Sequence, residues 1–419
     1  MTVESWCTTF AGAAVSLSLT PRLGAPPPRI PERLVPLLEA EAPRFSATEM
    51  RRRRQALADA LAEAGASHAL IVGTDRRMSA LQWLTGWPSG NLNMGVFTPG
   101  EQNILLVPYP NHVPQARLLA PEAKVIWGAK GPAAIALETL IARATRGQTI
   151  GIIGQANYSL MQQLMVAGFK LTDLNRAYNA MRLIKSEEEF EWARIGCALS
   201  DLGIEALAND IRPGMSEHEL AAIIERAYLP WGGVTQIHFV GLTSMAEPDC
   251  CVPSQFPRAR RVAPGDVVFS EISVLFWGYS GQVLRTYAVA AEPTPLYRDL
   301  YAVAQATFEA VRKVLRPGAR PEDILDAASI IGQSGFAVCD DLVHGFIGGY
   351  LPPVLGTHER PSGPIPDMTL KENMAVVLQP SIVTKDGKAG VQTGECLRIT
   401  HDGVESLHHA PAGFRRVGG

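Results

Sequence analysis

A single acidic side chain interrupts the apolar stretch SEISVLFWGYSGQVLRT, which runs from Ser270 to Thr286. Apolar β-formers on both sides of Gly278-Tyr279 predict two short strands joined by a turn. Glu271 would lie on the first strand and Gln282 on the second. Burying an isolated carboxylate is costly, so a functional role for Glu271 is favoured over a structural one in which backbone amides bind it.

A metal site would need more than this one carboxylate. Two divalent cations a few ångströms apart repel each other, and several anionic oxygens must offset that repulsion. Glutamine carries no charge and one acceptor oxygen, so Gln282 would be a poor bridging ligand. The hairpin therefore favours proton-transfer chemistry over metal chemistry.

The elements before the hairpin predict a separate domain. Residues 1–44 are rich in proline and are expected to be loosely ordered. Ser46, with Glu49 three residues later, predicts a capping box and an amphipathic helix. The basic run MRRRRQ in this helix predicts a solvated face. Strands and helices then alternate, which predicts a small α/β domain over residues 45–185.

The remainder, residues 186–419, begins with Ser186 and Glu189, which predict a second capping box at the start of a long helix. It also contains a weak internal repeat. IRPGMSEHEL at residues 211–220 matches LRPGARPEDI at residues 315–324, and each follows a long helix. Each also precedes a second helix and later a strand pair, and the second pair is NMAVVLQPSIV with GVQTGECLRIT. Duplication predicts two αα-ββ halves that form one curved sheet backed by helices, with a cleft between them.

Composition argues against several classes of protein. The 419 residues include 38 basic and 41 acidic side chains, so the net charge of −3 does not favour nucleic-acid binding. No apolar run approaches the ~20 residues of a membrane span. The six cysteines lack metal-site spacing, which favours free thiols in a reducing compartment. We expect a soluble cytoplasmic protein that binds neither nucleic acid nor membrane.

The order of short motifs along the chain resembles the creatinase / prolidase / methionine aminopeptidase family. The motifs are RLIKSEEE, RPGMSEHEL, PGDVVFSEI, GYSGQVLRT, LVHGFIGGY, GTHERP, ENMAVVLQP and GVQTGECLRIT. WLTGW, which ends at Trp87, is similar to a segment of the family's N-terminal domain. The resemblance implies an α/β fold in which a creatinase-type N-terminal α/β domain precedes a pita-bread α+β domain with a pseudo-twofold repeat.

The metal-dependent members of this family bind two divalent ions through two Asp, one His and two Glu. In this chain, the resemblance implies that the five ligand positions are occupied, in chain order, by Glu271, Gln282, His344, Gln379 and Gly394. Glu395 is adjacent, but on a strand it should face away from the side of residue 394. A further family His falls near Asp249, and a second His of the family is retained as His358. We therefore expect no metal, no cofactor and no metallopeptidase activity; a single loosely bound ion on Glu271 and His344 is the less favoured alternative.

Creatinase and ectoine hydrolase are relatives that lack the metal ligands. The resemblance to them implies that this chain cleaves a C–N bond of a small polar substrate with side chains alone. Glu271 would act as general base, with a pKa raised by burial, and His344 or His358 as general acid. Gln282 and Gln379 would hydrogen-bond the substrate. For both histidines, structural and functional roles are equally favoured, and the two amides could instead be relics of ligand loss.

Other candidates have weaker support. Arg285 could hold a substrate carboxylate, although a structural role is preferred, and Asp249 could be a second acid. Family members are commonly homodimers in which an N-terminal loop reaches the other subunit's cleft, so the resemblance implies a homodimer and makes Trp87 a candidate lid residue. Two other functions stay open: a biosynthetic lyase, dehydratase or cyclase that uses the same Glu/His pair, or a pseudoenzyme that only binds a ligand or partner.

Overall fold

The computed structural model describes residues 19–74, 79–88, 90–129 and 131–419, and its first part is built on a mixed sheet. The strands are β1 (His68–Gly73), β2 (Asn93–Phe97), β3 (Ile104–Val107), β4 (Lys124–Trp127), β5 (Thr149–Ile153) and β6 (Lys170–Asp173), in the sheet order β4-β3-β2-β1-β5-β6. The helices are α1 (Val35–Leu38), α2 (Ala47–Glu63), α3 (Ala80–Thr85), α4 (Val113–Leu119), α5 (Pro132–Arg143), α6 (Tyr158–Val166) and α7 (Asn175–Met181). This is the predicted α/β unit.

The second part is a curved sheet backed by helices. Its helices are α8 (Glu187–Asp210), α9 (Glu217–Tyr228), α10 (Pro295–Val314), α11 (Pro321–Ala327) and α12 (Ile330–Gln333). Its longer strands are β7 (Val234–Ser244), β8 (Asp266–Phe276) and β9 (Tyr279–Val289). The shorter strands are β10 (Ala337–Val338), β11 (Val343–Gly345), β12 (Leu351–Leu355), β13 (Ala375–Leu378), β14 (Ser381–Val383), β15 (Gly390–Gln392), β16 (Gly394–Ile399), β17 (Val404–Ser406) and β18 (Arg415–Val417).

The main sheet of this part runs β12-β11-β13-β16-β9-β8-β7, and a smaller sheet runs β10-β14-β15. α8 packs on β8 and β9, whereas α10 packs on β14 and β15, so each half of the predicted repeat has its own helical layer. In the second half the expected strand pair is broken at Gln379-Pro380 and at Thr393, so β13 pairs with β16 and β14 pairs with β15. The break separates the two sheets.

The predicted hairpin is present and longer than expected. β8 and β9 are antiparallel and buried along their whole length. The turn is Trp277-Gly278, one residue earlier than predicted, and both residues have positive φ, 48° and 91°. Positive φ at both central positions is the geometry of a type I′ turn, which matches the twist of paired strands.

The two predicted capping boxes and the predicted loose N-terminal segment are described next, because not all of them form as expected. The capping box at Ser186 is complete. At Ser46 only the serine half forms, because the Glu49 carboxylate bonds to arginines instead. Of the segment predicted to be loosely ordered, residues 1–18 lie outside the described residues. In residues 19–44, Leu34 and Leu38 are buried in the core of the second part of the molecule.

The basic run in α2 is not entirely a solvated face, which corrects the prediction from MRRRRQ. Arg53 is 1% exposed, and its guanidinium donates to Glu49 Oε1 at 2.6 Å and to Tyr279 Oη at 3.0 Å. Glu189 of α8 accepts from Tyr279 at 3.0 Å and from Trp83 at 3.1 Å. This buried cluster joins the N-terminal helix to the hairpin and to α8. The pattern failed here because solvent exposure depends on what packs against a helix, and tertiary contacts decide that.

In the part of the chain that the structure describes, no helix is both long enough and apolar enough to cross a membrane.

Replacing Arg53 with Ala should lower the free energy of unfolding by about 3–5 kcal/mol, because it removes the fully buried one of the two arginines that pair with Glu49 and Glu189 and leaves only the partly exposed Arg52. Urea unfolding measures this. Arg51→Ala is the matched control, since Arg51 is exposed on the same helix, and it should change stability by less than about 0.5 kcal/mol. Equal effects of the two variants would contradict the structural role given to Arg53.

Candidate functional site

The centre of the site is a carboxyl–amide pair on the β8–β9 hairpin. Glu271 is opposite Leu284 and Gln282 is opposite Ser273, so strand alternation puts Glu271 and Gln282 on the same face. Gln282 Nε2 donates to Glu271 Oε1 at 2.8 Å. Glu271 is 7% exposed and Gln282 is 2% exposed. The sequence prediction that these two residues converge is met by this contact.

Gln379, directly after β13, extends the pair into a chain of amides. The Gln282 amide also donates to Gln379 Oε1 at 2.7 Å, and Gln379 Nε2 donates to the Asp341 carbonyl at 3.0 Å. Gln282 Nε2 therefore uses both of its hydrogens on the two neighbouring acceptors. We call Glu271, Gln282 and Gln379 the amide chain.

His344 of β11 lies opposite Val377 of β13, two residues before Gln379, so its side chain is on the same side of the sheet as the end of the amide chain. Its ring stacks on Tyr350 with centroids 4.1 Å apart, and Nδ1 lies 3.3 Å from the Gly345 carbonyl. Burial lowers the pKa of His344 to about 4. The imidazole is therefore neutral at neutral pH.

Burial has the opposite effect on Glu271. Desolvation, and then the nearby charge of Asp340, raises the pKa of Glu271 to about 8. A carboxyl with this pKa holds its proton at neutral pH and releases it only in alkaline solution. At neutral pH the site thus contains an uncharged carboxylic acid, which can donate a proton, and an uncharged imidazole, which can accept one.

The side chains present do not fit the two divalent ions of the metal-dependent members. Among the residues that the structure describes, no group of three or more His, Cys, Asp or Glu could hold a metal ion. Gln282 presents amide hydrogens, rather than oxygen lone pairs, to Glu271 and Gln379. A cation between these groups would face N–H donors, which repel it, instead of the oxygen ligands that a divalent ion needs.

Gly394 also excludes the last ligand of the metal-dependent pattern. A Cβ built at residue 394 would lie 2.4 Å from the Leu378 carbonyl oxygen and 2.7 Å from Gln379 Cα. Real side chains do not tolerate such contacts with backbone atoms. The position has no room for any side chain while Gln379 occupies its present place.

Arg285 and Glu395 lie on the opposite face of the sheet from Gln282 and are bound to each other. Arg285 Nη2 is 3.0 Å from Glu395 Oε2, and the guanidinium also donates to the carbonyls of Gly394, Ala410 and Pro411. Arg285 is 1% exposed. With its donors occupied and its charge paired, Arg285 fits the structural role that was preferred for it, and Glu395 is its counterion.

The structure does not bring the other three candidates to the amide chain. His358 has a side chain 48% exposed and pairs with Asp326 of α11 at 2.8 Å. Asp249 accepts from Thr243 at 2.7 Å in the loop after β7. Trp87 is buried in the core of the N-terminal part, where its Nε1 donates to Asn93 at 3.1 Å. Trp87 also lines a cavity of about 690 Å³ against the hairpin turn, well away from Glu271 along β8.

Four residues at the site were missed by sequence reasoning. They are Ser273, Asp340, Asp341 and Tyr350. The Ser273 hydroxyl is buried and has no hydrogen-bond partner among the described residues, although its strand position is directly opposite Gln282. The i, i+2 spacing from Glu271 could have identified it. The acidic pair in CDDLVHG is close in sequence to His344 and could have been included on that ground.

Comparison with known proteins identifies both parts of the chain. Residues 191–401 match the family model described as metallopeptidase family M24, and residues 53–184 match that of the creatinase/prolidase N-terminal domain. The Xaa-Pro dipeptidase of Pyrococcus furiosus is 26% identical over 267 residues, which are 62% of this chain and 73% of that protein.

Solved structures give the same fold. The Xaa-Pro dipeptidase from Bacillus anthracis matches with a TM-score of 0.75 at 18% identity, covering 88% of this chain and 100% of that chain. The X-Pro aminopeptidase from Thermotoga maritima gives a TM-score of 0.74 at 19% identity, with 87% and 99% covered. The predicted order, a creatinase-type N-terminal domain followed by a pita-bread domain, is confirmed.

Glu271→Gln should make stability less dependent on pH. The folded carboxyl keeps a proton that the unfolded chain loses, so the parent protein loses stability as pH rises from about 4.5 to about 8. Within that window the variant should gain about 1.4 kcal/mol relative to the parent for each pH unit. Urea unfolding at about pH 5 and about pH 8 measures the difference. The exposed Glu247→Gln is the control, and a difference that does not change with pH would contradict the burial argument.

Gly394→Ala should lower the free energy of unfolding by about 1–3 kcal/mol, because the added methyl group must displace the backbone of Leu378 and Gln379. Gly403→Ala is the matched control, since a Cβ there has no atom within 4 Å. Chemical denaturation of both variants tests the prediction. If the two substitutions are equally mild, the contact at residue 394 is looser than described.

Proposed function

Because this chain belongs to the metallopeptidase family M24, we propose that it is a hydrolase that cleaves a C–N bond in a small polar nitrogen-containing substrate without using a metal ion. The observation that carries the proposal is the amide chain. Gln282 donates from one nitrogen to both Glu271 and Gln379, where the metal-dependent pattern of the family has carboxylates. Glu271 and His344 remain as groups that can move a proton.

The pKa directions favour the reverse of the roles expected from the sequence. Burial makes Glu271 a proton donor and His344 a proton acceptor at neutral pH. The state with ionised Glu271 and protonated His344 would be roughly ten thousand times rarer, since the two pKa values differ by about 4 units. We therefore give Glu271 the role of general acid towards the leaving nitrogen and His344 that of general base towards water.

In the proposed reaction, His344 takes a proton from a water molecule as the oxygen attacks the carbon of the scissile bond. Glu271 gives its proton to the nitrogen as the C–N bond breaks. The amine leaves neutral, and the proton on His344 returns to Glu271 through solvent or product, so the cycle closes. Ser273, with its unpartnered hydroxyl opposite Gln282, would hydrogen-bond a polar group of the substrate.

The direct test is hydrolysis of a panel of C–N substrates with and without a chelator. Creatine-like compounds, acylated amino acids and Xaa-Pro dipeptides are the three classes to include. We expect release of an amine in at least one class, at the same rate with EDTA, from protein with less than one metal ion per chain. Cleavage that requires added divalent ions would overturn the proposal, as would a product that lacks the added water.

Glu271→Gln should lower kcat by about 10²–10⁴-fold, the range for loss of one proton-transfer group. For the parent protein, kcat should form a plateau between about pH 4 and about pH 8 and fall above it, because Glu271 then loses its proton. His358→Gln is the control, since His358 is exposed and bonded to Asp326. If His358→Gln is as inactive as Glu271→Gln, the acid is His358 and the assignment made here is wrong.

A further inference from the structure

A second cavity, of about 850 Å³, lies where three parts of the chain meet. Its walls come from α1 and the segment after it, from α2 and α3, from the loop before β4, and from α8 with the hairpin turn. Among its lining residues in the part of the chain that the structure describes, there is none of the amide chain. The volume is within the range of about 300–1,000 Å³ that is typical of small-molecule pockets.

Most of the wall of this cavity is apolar. Phe45 and Trp192 both line it, and their rings stack with centroids 4.2 Å apart. Met50, Leu84 and Leu119 add aliphatic surface. Water in an apolar cavity finds few hydrogen-bond partners, so its displacement by an apolar ligand is favourable. The wall therefore fits the apolar body of a small molecule.

The charged side chains of the wall already have partners. Arg53 belongs to the buried cluster that joins α2 to the hairpin, and Arg54 forms an ion pair with Glu122. Arg44 is exposed and donates to the Leu118 carbonyl at 3.3 Å. An ionised ligand would lose its hydration here without gaining a buried counterion of its own. The cavity therefore favours a neutral ligand.

Two buried amide oxygens supply the polar part of the wall. Gln82 is 6% exposed and Asn103 is 8% exposed, and both line the cavity. Gln82 Nε2 donates to the Trp277 carbonyl at 2.8 Å, which fixes the orientation of this amide. Gln82 Oε1 and Asn103 Oδ1 have no hydrogen-bond partner among the described residues. A buried acceptor without a partner costs free energy, and a donor on a ligand would recover it.

We propose that this cavity is a binding site for a neutral aromatic molecule that carries an N–H or O–H group. The aromatic body lies against the apolar wall, and the N–H or O–H group donates to Gln82 Oε1 or Asn103 Oδ1. Since Gln82 also holds the carbonyl of Trp277 at the hairpin turn, the bound molecule contacts the residue that joins α3 to the hairpin. The proposal does not depend on the hydrolase function.

The test compares two probes of the same shape, indole and benzofuran, in which the N–H group of indole is replaced by an oxygen atom. Each is titrated into the full-length protein, and binding is followed by ligand-observed NMR. We expect indole to bind about tenfold more tightly, since only indole can donate to an amide oxygen of the wall. Equal affinities, or no binding of either probe, would overturn the proposal.

A variant that fills the cavity locates the binding site. Ala123 lines the cavity, so Ala123→Phe should abolish binding of both probes. Ala246→Phe is the matched control, because Ala246 is exposed on the loop after β7 and does not line the cavity. Indole that binds Ala123→Phe as tightly as the parent protein is bound elsewhere, which would contradict the assignment.

Two further variants test the amide oxygens. Gln82→Met and Asn103→Leu each remove one acceptor and keep an apolar side chain of similar size. At least one of them should lower the preference for indole over benzofuran from about tenfold to about onefold, with the affinity for benzofuran kept. If both variants keep the full preference, the acceptor is another group and the proposal fails. The two titrations of the parent protein stand by themselves, so a variant that folds poorly does not leave the proposal undecided.

Discussion

The organisation of the site depends on the removal of one carboxyl group, that of Glu271, from water. The carboxyl lies in the middle of a fully buried hairpin, where an ionised form would have little solvation. The protein meets this constraint with neutral partners, since Gln282 donates to Glu271 and is held in turn by Gln379. A cationic partner would have stabilised the ionised form instead. Desolvation, together with the nearby charge of Asp340 and the lack of a cationic partner, keeps this carboxyl protonated.

Side chains alternate along β9, so residues with a proposed chemical role and residues with a structural role lie on opposite faces of the strand within four positions. Gln282 faces the site, whereas Arg285 faces the other side and binds Glu395 together with the carbonyls of the C-terminal segment. An Arg–carboxylate pair in a buried setting is stable only when its remaining donors are satisfied, and here they are. On β9, the charged Arg285 therefore helps to hold the sheet together, whereas the uncharged Gln282 contacts Glu271.

Much of this was accessible from the sequence, and what was missed has physical reasons. Local signals identified the hairpin, the cap at Ser186 and the repeat, because strand alternation and capping depend on neighbours in the chain. Glu271, Gln282, Gln379 and His344 were identified from motif order. The burial of Arg53 and the distance of His358 from the amide chain were not predictable, because both depend on which distant elements pack together. The protonation states depend on desolvation, and desolvation is a property of the folded site alone.

The side-chain types at positions 282, 379 and 394 depend on one another, for reasons of charge and of space. Without cations, several carboxylates in one buried space could not all ionise, because like charges a few ångströms apart raise each other's pKa. Replacing carboxylates by Gln282 and Gln379 removes that repulsion and supplies a hydrogen-bond donor to Glu271. The absence of a side chain at Gly394 then leaves room for Gln379 to take its place against the backbone. A carboxylate at any one of these positions, without a bound cation, would add an unpaired charge among neutral groups, so the three positions have to be considered together.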